Sequence, residues 1–101
     1  MNIENPATLF KHFRLPIDYG NTKEQEPPFL VYTGSGSNNL AADNYVYHNT
    51  YNYTIEYYFR YKDESLEKEI EDLFRENEIA WYKSNDIYIR EDEIYVIYYN
   101  I

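Results

Sequence analysis

Between residues 44 and 60 the chain alternates in a way that fixes one element. Tyr45, Tyr47, Tyr51, Tyr53, Ile55, Tyr57 and Phe59 share one parity, and His48, Thr50, Asn52, Thr54, Glu56 and Arg60 share the other. Successive side chains of a strand point to opposite faces, so this pattern predicts one long, half-exposed strand. At about 3.3 Å per residue the run reaches roughly 50 Å, longer than a single small domain is wide, and part of it is expected to project from the body. Asn49 and Asn52 fall near its middle on opposite faces, where a bulge or bend fits.

The flanking segments supply partners for that strand. Asn5 can cap a helix over residues 5–14, with Pro6 at its first position and Leu9, Phe10 and Phe13 on one face, ended by Leu15 and Pro16. Residues 17–19 read as a short extended stretch, 21–26 as a surface loop closed by Pro27 and Pro28, and 29–33 as a compact apolar strand. Gly34-Ser35-Gly36-Ser37-Asn38-Asn39 has the composition of a mobile loop, so a flexible loop is expected over residues 34–43. Asp63 or Ser65 can cap a second helix running to about Asn77, which can serve as the left-handed stop residue. Leu66, Ile70, Leu73 and Phe74 form its apolar stripe, and Glu64 with Lys68 and Glu71 with Arg75 form i,i+4 pairs. Short strands over 79–83 and 86–90 precede a last one over 93–101, whose two faces are both apolar, as a central strand requires. The reading is one α+β domain spanning residues 1–101, with a mostly antiparallel sheet, a long projecting β-hairpin and two helices packed on one face.

Composition limits what such a domain does. Aromatic residues make up 20% of the chain, 14 of them Tyr, and phenolic hydroxyls need partners, which favours rims, sheet faces and subunit contacts over a dry interior. The 18 Asp and Glu against 9 Lys and Arg give a formal charge of −9, which repels a phosphate backbone and argues against direct nucleic-acid readout. No apolar run is long enough to span a bilayer, and MNIENPATLF lacks the basic start and apolar centre of a signal peptide, so a soluble protein made in the cytosol and without a membrane partner is expected. With 0 Cys there are no disulfides, thiol nucleophiles or Cys-ligated zinc.

No enzyme constellation emerges, and neither catalysis nor a cofactor is expected. His12 and His48 stand in no metal-ligand spacing. The carboxylates of Asp63 and Glu64 and of Glu91, Asp92 and Glu93 fit helix starts and turns better than an acid/base pair held in a cleft. The Gly-Ser segment lacks the Lys and Ser/Thr of a phosphate loop, and Asn52-Tyr53-Thr54 matches a glycosylation acceptor only by pattern. Tyr faces suit base or sugar stacking, yet residues 44–58 contain no Lys or Arg to accompany a nucleic acid.

The run Pro27-Pro28-Phe29-Leu30-Val31-Tyr32-Thr33-Gly34-Ser35-Gly36-Ser37-Asn38-Asn39, then Ala42-Asp43-Asn44 and a Tyr-rich strand, resembles small tail proteins of siphophages that infect Gram-positive bacteria. Ile55-Glu56-Tyr57-Tyr58 to Lys62-Asp63, an acidic helix from Leu66-Glu67 and closing strands follow the same layout, over about residues 17–101. These are the tail completion or tail terminator proteins, grouped with head-tail joining components. The resemblance implies a structural virion protein, assembled in the host cytoplasm into a homo-hexameric ring that caps the tail tube. It would contact the major tail protein and the head-tail connector while DNA passes through without specific binding. Phe29, Tyr32, Tyr45 and Tyr47, which flank the Gly-Ser segment, are the candidate subunit or tube contacts. An adjacent head-tail connector component is one alternative. Another is a small acidic DNA mimic that inhibits a host nuclease or defence protein through Glu67, Glu71 and Asp72, and a third is a Tyr-rich carbohydrate- or peptide-binding module with a concave aromatic site.

Overall fold

The computed structural model describes residues 5–20, 26–42 and 45–101, without the side chains of residues 37–51. In chain order the elements are α1 (Pro6–Leu9), β1 (Ile17–Tyr19), β2 (Phe29–Ala42), β3 (Tyr45–Phe59), α2 (Glu64–Glu76), β4 (Tyr82–Lys83), β5 (Ile87–Ile89) and β6 (Ile94–Asn100). The fold is α+β, as expected, with a sheet ordered β1-β2-β3-β6-β4 and β5 also paired to β6. Among the described residues only β1 and β2 run parallel; the other pairs are antiparallel. β6 is indeed central, bonded to β3 along one edge and to β4 and β5 along the other.

α1 is shorter than its expected 5–14 span. Asn5 Oδ1 accepts from the Ala7 amide at 2.8 Å and Pro6 starts the helix, but helical pairing stops after Leu9 and residues 10–12 form turns. Pro16 disfavours a helical Leu15, so the segment must leave the helix before β1. The spacing of its apolar side chains still serves the core: Phe10 is buried, and Leu9 and Phe13 pack around it.

α2 forms where its capping chemistry puts it. The Asp63 carboxylate accepts from the Leu66 amide at 3.2 Å and from the Ser65 hydroxyl at 2.7 Å, satisfying a donor that the first helical turn leaves open. These bonds hold the Asp63 carboxyl below its ordinary range. At the other end the left-handed residue is Glu78, at φ 56, rather than Asn77. The Ile79 amide reaches back to the Phe74 carbonyl at 2.8 Å and buries Ile79 against the core, while Asn77 Nδ2 donates to the Leu73 carbonyl at 2.8 Å. This is the six-to-one closure that ends many helices, moved one residue beyond the expected position because Asn77 is used through its side chain.

The core lies between α2, the α1 turn and one face of the sheet. Leu30 and Tyr32 of β2, Ile55, Tyr57 and Phe59 of β3, and Ile97 and Tyr99 of β6 meet Leu66, Ile70 and Phe74 of α2 there. Phe74 is its centre, with Phe10, Trp81 and Tyr99 rings at 6.0, 5.7 and 5.6 Å. An α2 side chain buried this completely contributes about 1.5–3 kcal/mol.

The largest departure from the sequence reading is at residues 34–42, which continue β2 instead of forming a loop. Gly34 pairs with Tyr53, Ser37 with Tyr51, Asn38 with Thr50, and Ala42 with Tyr45. The register slips between Gly34 and Ser37 and again between Asn39 and Ala41. The first slip puts the extra residue in β2, where Gly36 takes φ 98, a conformation open to glycine; the second puts it in β3, close to where Asn49 led us to expect a bulge. Partnering by β3 satisfies backbone groups whatever the side chains, and that is how a Gly-Ser run becomes strand. Residue 43 of the expected loop lies outside the described residues.

Candidate interaction surfaces

The first surface is the outer part of the β2–β3 hairpin. β1 follows β2 only to Tyr32, and β6 follows β3 only to Thr54, extended by two backbone bonds between Tyr53 and Ile101 at 2.9 and 3.2 Å. From Gly34 to Ala42 on one strand, and from Asn52 to Tyr45 on the other, the ribbon has no third strand among the described residues. Nine residues at about 3.3 Å each make an arm of roughly 30 Å, and the molecule is accordingly 49 Å long against 28 and 22 Å across.

The second surface is the sheet face opposite the helices. Phe29 stacks on Tyr58 at 5.0 Å, and the Tyr58 hydroxyl donates to the Glu56 carboxylate. Burial, with that bond next, pushes the Tyr58 phenol up from its ordinary value. Tyr98 stands beside Glu56 in register, and Tyr58 and Tyr98 are half-buried. Val31 and Val96 are buried on the same face, beside Glu56 and Tyr58 in register.

The third surface is on the helix side, beyond the N-terminal end of α2. Cross-strand register lines up Tyr57, Phe59, Tyr95 and Tyr88 as a file of rings with successive centroids at 5.0, 5.5 and 5.1 Å. The file begins in the core at Tyr57 and emerges at Tyr95 and Tyr88, which are 37% and 51% exposed. At its buried end a cavity of about 320 Å³ opens between Pro27, Pro28, Phe59, Tyr61, Lys62 and Leu66, with Tyr57, Arg60 and Asp63 completing the wall. Tyr61 is 81% exposed, whereas Tyr57 is fully buried and its hydroxyl has no hydrogen-bond partner. Burial, then the nearby negative charge of Glu67 and Asp63, keeps that phenol protonated well above its ordinary value.

A charged network binds α2 to this region. Glu67, 3% exposed, holds Lys62 Nζ at 2.7 Å and Lys83 Nζ at 2.8 Å. Lys62 also meets Asp86 at 3.1 Å, Lys83 meets Glu71 at 2.8 Å, and the Tyr99 hydroxyl donates to Glu71 at 2.9 Å. Asp72 is paired with both Lys68 and Arg75. The expected Glu71–Arg75 pair is thus replaced by Glu71–Lys83 and Asp72–Arg75, and Lys68 turns to Asp72 instead of Glu64. The same contacts bear on the carboxylates weighed as phosphate mimics. Glu67, Glu71 and Asp72 are each neutralised by lysine or arginine of their own chain, so they present no bare anionic row.

The four residues named from sequence do not form one surface. Phe29 and Tyr32 are 4% and 9% exposed and lie on opposite faces of the sheet, Phe29 on Tyr58 and Tyr32 against Tyr19 and Tyr53. Tyr45 and Tyr47 belong to the arm by position, and their side chains lie outside the described residues. The sequence reading missed Tyr61, Tyr88 and Tyr95, which sit beyond the long alternating run; Tyr88 and Tyr95 are brought side by side only by the pairing of β5 with β6. Among the described residues no cluster of three metal-ligating side chains occurs, and no helix is long and apolar enough to cross a membrane. Comparison with protein-family models, curated proteins and solved structures finds no match to this chain.

Proposed function

We propose that this chain is a self-assembling structural protein of a phage tail, a terminator whose ring caps the tail tube and joins it to the head. The observation that carries the assembly part is the two-stranded arm. A two-stranded ribbon with both edges open is marginal in water by itself, and unpaired strand edges are templates for a neighbouring chain. Head-to-tail contacts that repeat around an axis close into a ring, and an arm reaching some 30 Å from the body spans a subunit boundary. The tail assignment comes from the resemblance of residues 17–101 to tail completion proteins. The charge of −9 is compatible with DNA passing a ring without being held.

The test is genetic and structural together. A phage lacking this gene should make filled heads and tails of irregular or excess length, and normal joined virions from that mutant would overturn the reading. A variant with residues 35–52 replaced by Asn-Gly should fold, by circular dichroism and cooperative melting, yet fail to restore tail length. Full complementation by that folded variant would remove the arm from the assembly. An adjacent connector would instead leave free tails of normal length.

A further inference from the structure

Charge is unevenly spread along this chain. The whole sequence holds 18 Asp and Glu and 9 Lys and Arg, yet between Phe29 and Ile55 the only charged residue is Asp43. That stretch is β2 and most of β3, and it contains the whole arm. Natural proteins blunt open strand edges with lysine, with proline or with a covering segment. The arm has neither Lys nor Pro, and no third strand covers it among the described residues. A neutral ribbon rich in Tyr, Thr and Val suits strand addition.

The backbone bonds identify the free groups. Tyr53 exchanges both of its bonds with Ile101, at 3.2 and 2.9 Å, so its amide and carbonyl face the edge away from β2. Backbone groups two residues apart in a strand face the same edge, and β3 pairs with β2 without a slip from Asn49 to Tyr51. The amides and carbonyls of Tyr51 and Asn49 therefore face outward as well, in line with the ladder that Tyr53 and Ile101 begin.

The occupant these observations select is the arm of a second copy. It carries the same open, uncharged edge, and an antiparallel two-fold contact pairs that edge with itself. The rest of the molecule decides the orientation. Arms pointing the same way would press β6, β4 and β5 of one copy against β1 of the next, because these strands flank the hairpin at its root, and would set two acidic bodies side by side. Arms pointing opposite ways leave the bodies at the two ends of the shared ribbon, roughly 30 Å apart. The Debye length at physiological salt is about 8 Å, so repulsion across that distance is screened. Two marginal two-stranded ribbons become one of four strands.

We propose that the free chain rests as a two-fold dimer, joined antiparallel along the outer edge of β3 in the arm, and that this pairing opens before the arm engages a neighbour in the ring. One edge cannot serve both contacts, so the dimer holds assembly back. This resting state rests on the arm being the assembly element, as proposed above, and does not depend on the tail assignment.

The test is sedimentation velocity on the full 101-residue chain, from about 1 μM to about 1 mM, the range in which weak edge pairing is read. A reversible change from 12.3 kDa to twice that mass is expected, with a dissociation constant that moves less than about threefold between low and high salt. Amide exchange at Tyr51 and Asn49 should slow about tenfold in the concentrated sample, while Thr50, whose amide faces β2 by the same alternation, is unchanged. Tyr51→Pro removes one outward-facing N–H, which an edge strand tolerates, and should weaken the dimer about tenfold, the scale of two symmetry-related hydrogen bonds. The variant with Asn-Gly in place of residues 35–52 should stay monomeric throughout, and it decides the matter if Tyr51→Pro loses the wild-type circular dichroism. A wild-type chain that is monomeric at every concentration overturns the proposal. So does a dimer that survives loss of the arm, or one in which the Tyr51 and Asn49 amides exchange as in the monomer. Association that runs on past the dimer overturns it too, since that would mean head-to-tail pairing. Normal virions from the gene deletion would end the tail assignment and leave the dimer standing, so the two fail separately.

Discussion

Tyr57 and Tyr99 allow a controlled comparison, because both are fully buried in the same core and only one hydroxyl has a partner. Tyr99 donates to Glu71 at 2.9 Å; Tyr57 donates to nothing. Replacing either by Phe removes one oxygen and leaves the ring packing. A hydrogen bond to a charged group is worth about 1.5–3 kcal/mol, and a buried polar group left unpaired costs about 1–3 kcal/mol. Glu71 keeps Lys83 at 2.8 Å after Tyr99→Phe and is not left alone, so the loss belongs at the lower end, about 1.5 kcal/mol. Tyr57→Phe relieves an unpaired donor and should be neutral to stabilising by about 1 kcal/mol. The two variants should differ by roughly 2 kcal/mol, which at a urea slope of about 1–3 kcal/mol per molar separates their midpoints by roughly 1 M. Equilibrium urea unfolding followed by circular dichroism reads this directly. If Tyr57→Phe destabilises as much as Tyr99→Phe, the Tyr57 hydroxyl has a structural partner, and the accounting is refuted.

Two further outcomes follow from the packing and the phenols. Phe74→Ala, at the meeting point of Phe10, Trp81 and Tyr99, should cost about 3–5 kcal/mol through lost burial and the cavity left behind; a urea midpoint shift worth less than about 1 kcal/mol would show that the α1 turn collapses to fill the space. In alkali, burial raises Tyr57 and Tyr58, with the Glu56 bond adding at Tyr58, and burial followed by the Glu71 bond raises Tyr99 above the ordinary value of 10.0. Because the folded state holds these protons longer than the unfolded chain does, stability is full below about pH 10 and falls as pH rises beyond it. Tyrosinate absorbance should therefore appear in two parts, exposed phenols first and these three with the loss of secondary structure; a single smooth titration with the circular dichroism unchanged would contradict the assigned burial.

The parts legible in sequence were those whose signal is local. The alternation around Tyr53, Ile55, Tyr57 and Phe59 gave β3, and the Asp63 cap with the Leu66, Ile70 and Phe74 stripe gave α2 with its buried face. The stop at Glu78 was displaced because Asn77 had two ways to serve the helix end, and local sequence does not choose between a backbone and a side-chain role. α1 shrank because the turn residues after Leu9 keep an apolar spacing near three, which a helix and a chain of turns share. The Gly-Ser run read as a loop because composition reports what side chains prefer, while its strand state is imposed by β3 lying alongside.

Register explains why the interaction surfaces were less legible than the fold. A strand turns over every residue, so Phe29 and Tyr32, three positions apart, must face opposite sides and cannot share a contact, even though both flank the same segment. The file of rings is built the other way, from residues far apart in the chain that register brings onto one face: β3 places Phe59 beside Tyr95 of β6, and β5 then places Tyr88 beside Tyr95. Shifting β6 by one residue against β3 would send Tyr95 to the other face and put Ile94 or Val96 in the file, ending the aromatic track at Phe59. The excess of Tyr in this chain therefore forms a shared surface only through pairings that no single stretch of sequence contains.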